Sequence, residues 1–529
     1  MNPTPAADGS YGPDGHPRRR AILLVLCLSL LVVTIDNTIL NTALPTLARD
    51  LHAGTSALQW IVDGYTLCFA ALLIPAGALG DRFGRRRMLI GGLALFALGS
   101  LAAAFAANGG TLIADRVLMG LGAAFVMPST LSILNAVFPA RERPQAIAAW
   151  SAVAGAGIAI GPTLGGLLLS HFWWGSVFLV NAPLVAVALI GVVRVVPESA
   201  DPVSHRLDLV GTVLAATGLV GLVDAIIEAP ARGWTGPVTL VELAVAIGVL
   251  VGFVRWELRV AHPLIDLRVF RSRSFSAAAG AVTVIFFALF GSLFVLTQYL
   301  QLVHGYSPLA AGLRALPFAG AMAVVSPVST SLARRLGSRI VIAGGLLLMA
   351  VGLLVLSSVG VDTPYPPLAV FVAVMGAGMG LVMAPASTTI MGSVPLAQAG
   401  VASAVNDTIR EVGGALGVAV VGSLVGALYA HQLAPQLAAH HAPAAVNQAA
   451  TGSVAAADVV GGRIGGTVGN QLVDAAHQAF VTGMAGGMRV AAGVAVAGAL
   501  GAFVALPRRR AGGLAAMELP AELPGELVA

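Results

Sequence analysis

The stretch GALGDRFGRRRM, Gly77–Met88, lies between two apolar runs at about 58–79 and 88–107, and its reading decides the fold. Each run has the roughly 20 apolar residues that a helix needs to cross a bilayer. Arg82, Arg85, Arg86 and Arg87 fall between them, and charge of that density belongs at a membrane face, outside the hydrocarbon. The stretch is therefore a short loop joining two membrane helices. Gly80 and Gly84 permit a tight turn and close helix contact. Asp81 is placed to cap a neighbouring helix or to pair with Arg82 or Arg85.

The same pattern extends along the chain. Of the 529 residues 57% are hydrophobic and 10% charged, against about 25% charged in a soluble domain, and the mean hydropathy is +0.89. Apolar runs at 21–44, 58–79, 88–107, 111–138, 145–170, 175–196, 208–228, 237–258, 275–300, 308–333, 339–359, 366–393, 398–430 and 486–506 predict fourteen membrane helices and an all-α integral membrane fold. The first run is too long for a signal peptide and lacks a small-residue cleavage site, so it is read as a retained helix.

Lysine is absent, and arginine carries the positive charge behind the pI of 9.7. The arginines sit in alternate loops: Arg18 to Arg20, Arg82 to Arg87, Arg141 and Arg143, Arg194 and Arg206, Arg255 to Arg273, Arg334 to Arg339, and Arg508 to Arg510. The opposite side holds Arg49, Arg232, Arg463 and Arg489. This asymmetry sets topology and gives no sign of nucleic-acid binding, and it predicts that the tails 1–20 and 507–529 are cytoplasmic. Cys27 and Cys68 fall inside predicted helices, which argues against a disulfide or a metal site. The long segment 431–485 is expected outside the membrane as a loop with short helices; its His431, His440 and His441 have no metal-site spacing.

GRRRMLIGG, from Gly84, recurs in weakened form as GSRIVIAGG, from Gly337, 253 residues further on. Each copy leads into a helix from the arginine-rich side. The spacing predicts two six-helix bundles, 21–196 and 275–506, separated by two linker helices within 208–258, with a substrate site between the halves.

Gly77–Met88 resembles the cytoplasmic-loop signature of the major facilitator superfamily. LIADRVLMGLGAA (Leu112–Ala124) looks like the family's fourth-helix motif, with Arg116 at its buried cation, and GIAIGPTLGG (Gly157–Gly166) looks like its fifth-helix antiporter motif. IDNTILNTALP (Ile35–Pro45) is similar to the first-helix motif of the fourteen-span drug:proton antiporters of the EmrB and QacA type, and NDTIREVGGALG (Asn406–Gly417) resembles their thirteenth helix. The resemblance implies the major facilitator fold, gating by the loop of Gly80, Asp81, Arg82, Gly84 and Arg85, and export by alternating access. Through Gly157, Gly161, Pro162, Gly165 and Gly166 it implies antiport rather than uptake. From the residues alone, Gly157, Gly161 and Gly165 recur every four positions and allow close helix approach, while Pro162 frees a carbonyl; plain packing explains that equally well. The implied protein is a monomer in the cell membrane. It exports lipophilic, cationic drugs or antibiotic-like metabolites, uses the proton gradient and needs no cofactor. A dedicated exporter of one endogenous metabolite and a proton-coupled nutrient symporter are the alternatives. No HExxH, nucleophile-elbow or Walker pattern suggests an enzyme.

Ionisable residues within membrane helices are functional candidates, because a charge at the bilayer centre costs at least ~2.5 kcal/mol. Asp36 and Arg116 lie at comparable depth in the first and fourth helices by the ~1.5 Å rise per residue. They are read as a proton- or substrate-handling pair, with a fixed structural ion pair as the alternative. Asp407, Arg410 and Glu411 share one face of the thirteenth helix at i, i+3 and i+4, as a coupled titrating set or a cluster holding the halves together. Asp63, beside Trp60 and Tyr65 in the second helix, is a further candidate. Asp224 and Glu228 are expected at the outer end of the first linker helix, and Arg314 as an interface anchor. Phe69, Trp150, Phe286, Phe287, Phe290 and Tyr299 are available to a cationic substrate, each with packing as its plainer role.

Overall fold

The computed structural model describes residues 15–139, 141–200, 208–261, 263–393, 399–439 and 443–507. His440, His441, Arg206, Arg508 to Arg510, and the tails 1–14 and 508–529 lie outside the described residues. The first part of the chain forms α1 (Arg19–Asp50), α2 (Thr55–Phe83), α3 (Arg85–Ala104), α4 (Gly109–Val137), α5 (Arg143–His171), the turn α6 (Ser176–Leu179) and α7 (Asn181–Val195). Two helices follow, α8 (Leu209–Arg232) and α9 (Pro237–Glu257). The rest forms α10 (Arg273–Gln298), α11 (Pro308–Arg314), α12 (Leu316–Leu336), α13 (Ser338–Leu356), α14 (Tyr365–Gly392), α15 (Ala399–Ala439), α16 (Ala444–Gly452), α17 (Val454–Ile464) and α18 (Gly466–Ala505). Among the described residues thirteen helical segments are long and apolar enough to cross a membrane. The 29-residue α5, packed along α1, covers the remaining expected run at 145–170.

Local chemistry explains the breaks. Asn108 caps α4 by accepting from the Thr111 amide, and the Thr111 hydroxyl accepts from the Asn108 amide in return, a reciprocal pairing that satisfies two free helix-end donors. Gly84 and Gly337 end α2 and α12 at φ +109° and +89°, a left-handed backbone that favours glycine. The repeat seen in sequence thus marks the same turn twice. It continues into packing: Gly92 meets the Gly122 backbone where α3 crosses α4, and Gly345 meets that of Gly378 where α13 crosses α14.

In the first half α1 packs on α5 and α7, α2 on α4, and α3 on α4 and α7; in the second, α10 packs on α15 and α18, α12 on α14, and α13 on α14 and α18. Large apolar side chains such as Leu24, Val324 and Val504 point outward, as suits a surface solvated by lipid. The helices α8 and α9 pair with each other, and α8 also packs on α2 and on α15, so it touches both halves.

The segment 431–485 differs from the loop expected of it. α15 runs on to Ala439, α16 and α17 follow, and α18 begins at Gly466, twenty residues before the expected span. Val454, Ala455, Leu472 and Ala476 are buried there, and the Tyr429 hydroxyl donates to Ala450 O at 2.7 Å. Alanine and glycine carry little hydropathy, yet they let helices approach closely; Gly461 and Gly469 meet backbone to backbone where α17 turns back along α18. His431 lies exposed on α15. This helical layer defines a cap end of the molecule, opposite the loop end at Gly84 and Gly337.

Candidate functional site

At the loop end, Asp81 accepts from Arg85 Nε at 2.8 Å, and the Arg82 guanidinium lies 5.2 Å from the Phe83 ring. The turn expected over Gly77–Met88 is confined to Gly84, with Gly80 to Arg82 in the last turns of α2 and Arg85 opening α3, and the segment after α7 straps it down: Arg85 N donates to Ser199 O at 2.8 Å, and Glu198 accepts from Arg86 N at 3.1 Å. A Cβ on Gly84 would come within 2.7 Å of the Glu198 carboxylate, and Gly80 sits against Ser129 and Met88. Sequence reasoning missed Glu198. The available signal was an acid in an arginine-bearing loop, which by itself names no partner.

Asp36 and Arg116 are brought together. Arg116 Nη1 lies 2.5 Å from one Asp36 oxygen, and the other accepts from Asn181 Nδ2 at 2.9 Å. Arg116 Nε donates to Ile61 O at 3.1 Å, and its guanidinium lies 4.3 Å from the Tyr65 ring centre. Asn181 also donates to Ser100 Oγ at 3.0 Å. The pair is inside the first half, with side chains 1% and 0% exposed. Five helices supply this network, and Asn181 and Ser100 were not anticipated.

The acids of α15 lie at the boundary between the halves. Arg410 Nη1 is 3.4 Å from Asp407, its Nη2 donates to Ser387 at 3.3 Å, and its guanidinium stands 5.8 Å from the Phe286 ring. Phe286 stacks on Phe290. Glu411 faces the Asn37 side chain of α1, across the boundary and one residue from Asp36. Asn37, Asp407, Arg410 and Glu411 are all half-buried.

The glycine-proline motif seats α5 on α1. A Cβ on Gly157, Gly161 or Gly165 would overlap Thr34, Thr38 or Ile39; Thr38 donates to Gly157 O at 3.3 Å, and Thr42 to Pro162 O at 3.4 Å. On its other side the motif meets the second half, with Pro162 O against Gly312 and Gly166 against Leu309. Gln301 Nε2 donates to Thr42 O at 2.8 Å nearby. These contacts draw the halves together toward the cap end. The cavity left between them, walled by Thr38, Asn41, Thr42, Ser292, Phe318 and Met375, is about 40 Å³. A drug-sized ligand needs about 300 Å³ or more, so admitting one here requires the halves to part.

The remaining candidates lie elsewhere. Asp63 is fully buried with neither oxygen hydrogen-bonded. Asp224, Glu228 and Glu242 surround Arg232 at 3.8, 4.0 and 2.7 Å. Arg314 lies between the Tyr306 and Tyr365 rings at 3.8 and 5.0 Å. Trp150 donates to Thr130, Tyr299 donates to Gly360 O, and Phe69 and Phe287 are buried in the core.

The sequence pattern of the Major Facilitator Superfamily matches residues 26–418. The chain belongs to that superfamily. Among its relatives, Multidrug resistance protein Stp of Mycobacterium tuberculosis (strain CDC 1551 / Oshkosh) is 39% identical over 402 residues, covering 76% of this chain and 75% of that one. The Tetracenomycin C resistance and export protein of Streptomyces glaucescens is 36% identical, covering 92% and 91%. Multidrug efflux pump LfrA of Mycolicibacterium smegmatis is 37% identical, covering 95% and 99%. Among solved structures, a bacterial homologue of the human lysosomal transporter Spinster, inward-facing and unoccupied, superposes with a TM-score of 0.66 at 17% identity, covering 94% of this chain and 99% of that one. That likeness concerns the fold. This major facilitator is a multi-pass membrane transporter.

Proposed function

We propose that this major facilitator exports lipophilic, cationic drugs or antibiotic-like metabolites in exchange for protons. In this reading it works as a monomer in the cell membrane, with the loop end and both termini cytoplasmic and the cap end outside. The names of the relatives support export of drug-like molecules. The observation that carries the coupling is the position of Glu411: half-buried, beside Asp407 and Arg410, and facing Asn37 of the opposite half. A carboxyl placed there feels any change in the separation of the halves, and an antiporter must tie its protonation to that change. Asp407 and Arg410 set the local charge, while Phe286 and Phe290 offer a stacked aromatic wall to a cation. Asp36 and Arg116, sealed in the first half, hold α1 in register so that Asn37 meets Glu411. The loop of Gly80, Asp81, Arg82, Gly84 and Arg85 gates the cytoplasmic side, and the proton gradient is the energy source.

The name of the relative called a tetracenomycin C resistance and export protein supports a dedicated metabolite exporter as the second reading. The test is gradient-driven ethidium movement in oriented proteoliposomes. The native protein should accumulate ethidium against its gradient, and Glu411→Gln should abolish this while remaining folded. Full transport by Glu411→Gln would sink the assignment of coupling to this residue, and no gradient-driven movement of any cationic dye would sink broad cation efflux.

A further inference from the structure

Asp63 has no role in the site above, yet it is the most anomalous acid among the described residues. It is fully buried and neither oxygen has a hydrogen-bond partner, although burying a charge is expensive unless it is paired. One turn toward the cap end, Gln59 Nε2 donates to Val418 O at 3.0 Å, Ala419 O at 2.9 Å and Ser423 Oγ at 3.2 Å. One turn the other way, Leu67 belongs to a small apolar cluster with Val223 and Ile227 of α8 and Ala415 and Ala419 of α15. Residues four apart share a helix face, so Asp63 lies in the seam where α2 meets both α15 and α8. Leu67 closes that seam on one side of it and Gln59 on the other.

Beyond Gln59 a cavity of about 370 Å³ runs to the cap end, with Ser56, Gln59, Pro230, Ser423 and Thr451 in its wall. Ser56, Gln59, Ser423 and Thr451 give its wall several polar groups, and it is roomy enough for water. Ser56 donates to Glu228 of α8, which places an acid beside the entrance. The ionisable groups on the surrounding helices include Asp224, Glu228 and Arg232 of α8, Asp407, Arg410 and Glu411 of α15, Asp115 and Arg116 of α4, Asp36 of α1, and Tyr65 and Cys68 of α2 itself, and none is hydrogen-bonded to Asp63.

We propose that this vestibule, built by the linker helix α8 together with α2 and α15, is the proton's route from the outside to Asp63, with Gln59 as its plug. The proposal rests on the proton-driven reading above. When the cap end parts, α2 leaves α15, Gln59 loses the Val418 and Ala419 carbonyls, and vestibule water reaches Asp63. A hydronium there gives its proton to an Asp63 oxygen and becomes water. When the cap end closes, Gln59 seals the site again, and as the loop end parts Asp63 gives its proton past Leu67 to water on that side and becomes a carboxylate once more. This gives the linker helix a function in coupling rather than in connection alone.

The experiment measures substrate-free proton uptake into proteoliposomes with an entrapped pH dye. Gln59→Ala should raise uptake severalfold to about tenfold, the scale set by losing hydrogen bonds that hold one of two states, and adding Asp63→Asn should return it to the native level. A native rate in Gln59→Ala, or a leak that persists in the double variant, overturns the route. Should Gln59→Ala not fold, Ser56→Cys in a Cys27→Ser, Cys68→Ser background is labelled from outside with an impermeant maleimide. Gradient-driven ethidium transport should then fall severalfold, and unchanged transport after full labelling overturns the route equally. Native protein that moves no cation against a gradient defeats the export reading, whereas native transport without the Gln59→Ala leak defeats the route alone.

Discussion

At the scale of single residues, the Asp36–Arg116 pair shows how a membrane protein keeps a charge. Both groups are out of water and lipid, and Asn181, Ile61 O and the Tyr65 ring satisfy what the pair leaves open. Removing one member of a buried pair strands the other and is destabilising by about 3–5 kcal/mol. Arg116→Met and Asp36→Asn should therefore both lower the thermal unfolding midpoint of the detergent-solubilised protein, the first by stranding the Asp36 carboxyl and the second by leaving the Arg116 cation, which cannot shed its proton, without a counter-charge. Equal midpoints for native and Arg116→Met would show that the pair contributes little. The common depth of the two residues was legible from counting helical rise. Asn181 and Ser100 were not, because nothing in the spacing of polar residues on α3 and α7 says that they turn toward α1.

At the scale of elements, the glycine-proline motif of α5 is a packing device first. Its glycines meet Thr34, Thr38 and Ile39 with no space for a side chain, and the carbonyl of its proline accepts from Thr42. Gly161→Val would force α5 off α1; overpacking of this kind is destabilising by about 1–3 kcal/mol, and here it also shifts Pro162 against Gly312. The expected result is folded protein with a lowered unfolding midpoint and reduced gradient-driven transport, measured on the same preparation. Native values for both would contradict the contact. Periodicity revealed that these glycines share a face, but which helix fills that face is a tertiary fact. The opposite failure occurs at 466–485, where small residues lowered the hydropathy of a segment that is helical and partly buried.

At the scale of the whole molecule, the two halves touch toward the cap end through Gln301 and Thr42, Gly312 and Pro162, and Gln59 and Ser423. Transport by alternating access requires these contacts to break. In a protein with Cys27→Ser and Cys68→Ser, Thr42→Cys and Gln301→Cys joined by a short, reducible bifunctional thiol reagent should stop gradient-driven ethidium transport, and reduction should restore it. Undiminished transport in fully cross-linked protein would mean that the cap end does not open during the cycle.

The sequence alone determined that the chain crosses a membrane repeatedly as helices and that its two halves repeat, because hydropathy and the Gly84 and Gly337 turns are local properties. Charge and depth also marked Asp36, Arg116 and Glu411 as worth attention. Only the tertiary structure decided that Asp36 and Arg116 are sealed in one half, that Glu411 faces Asn37 across the boundary, that Glu198 straps the turn at Gly84, and that α8 leans on both halves. In a bilayer all helix faces can be apolar, so hydropathy loses the periodicity that would say which face meets a neighbour. Partner choice is then set by small residues, backbone approach and a few buried hydrogen bonds between helices far apart in sequence.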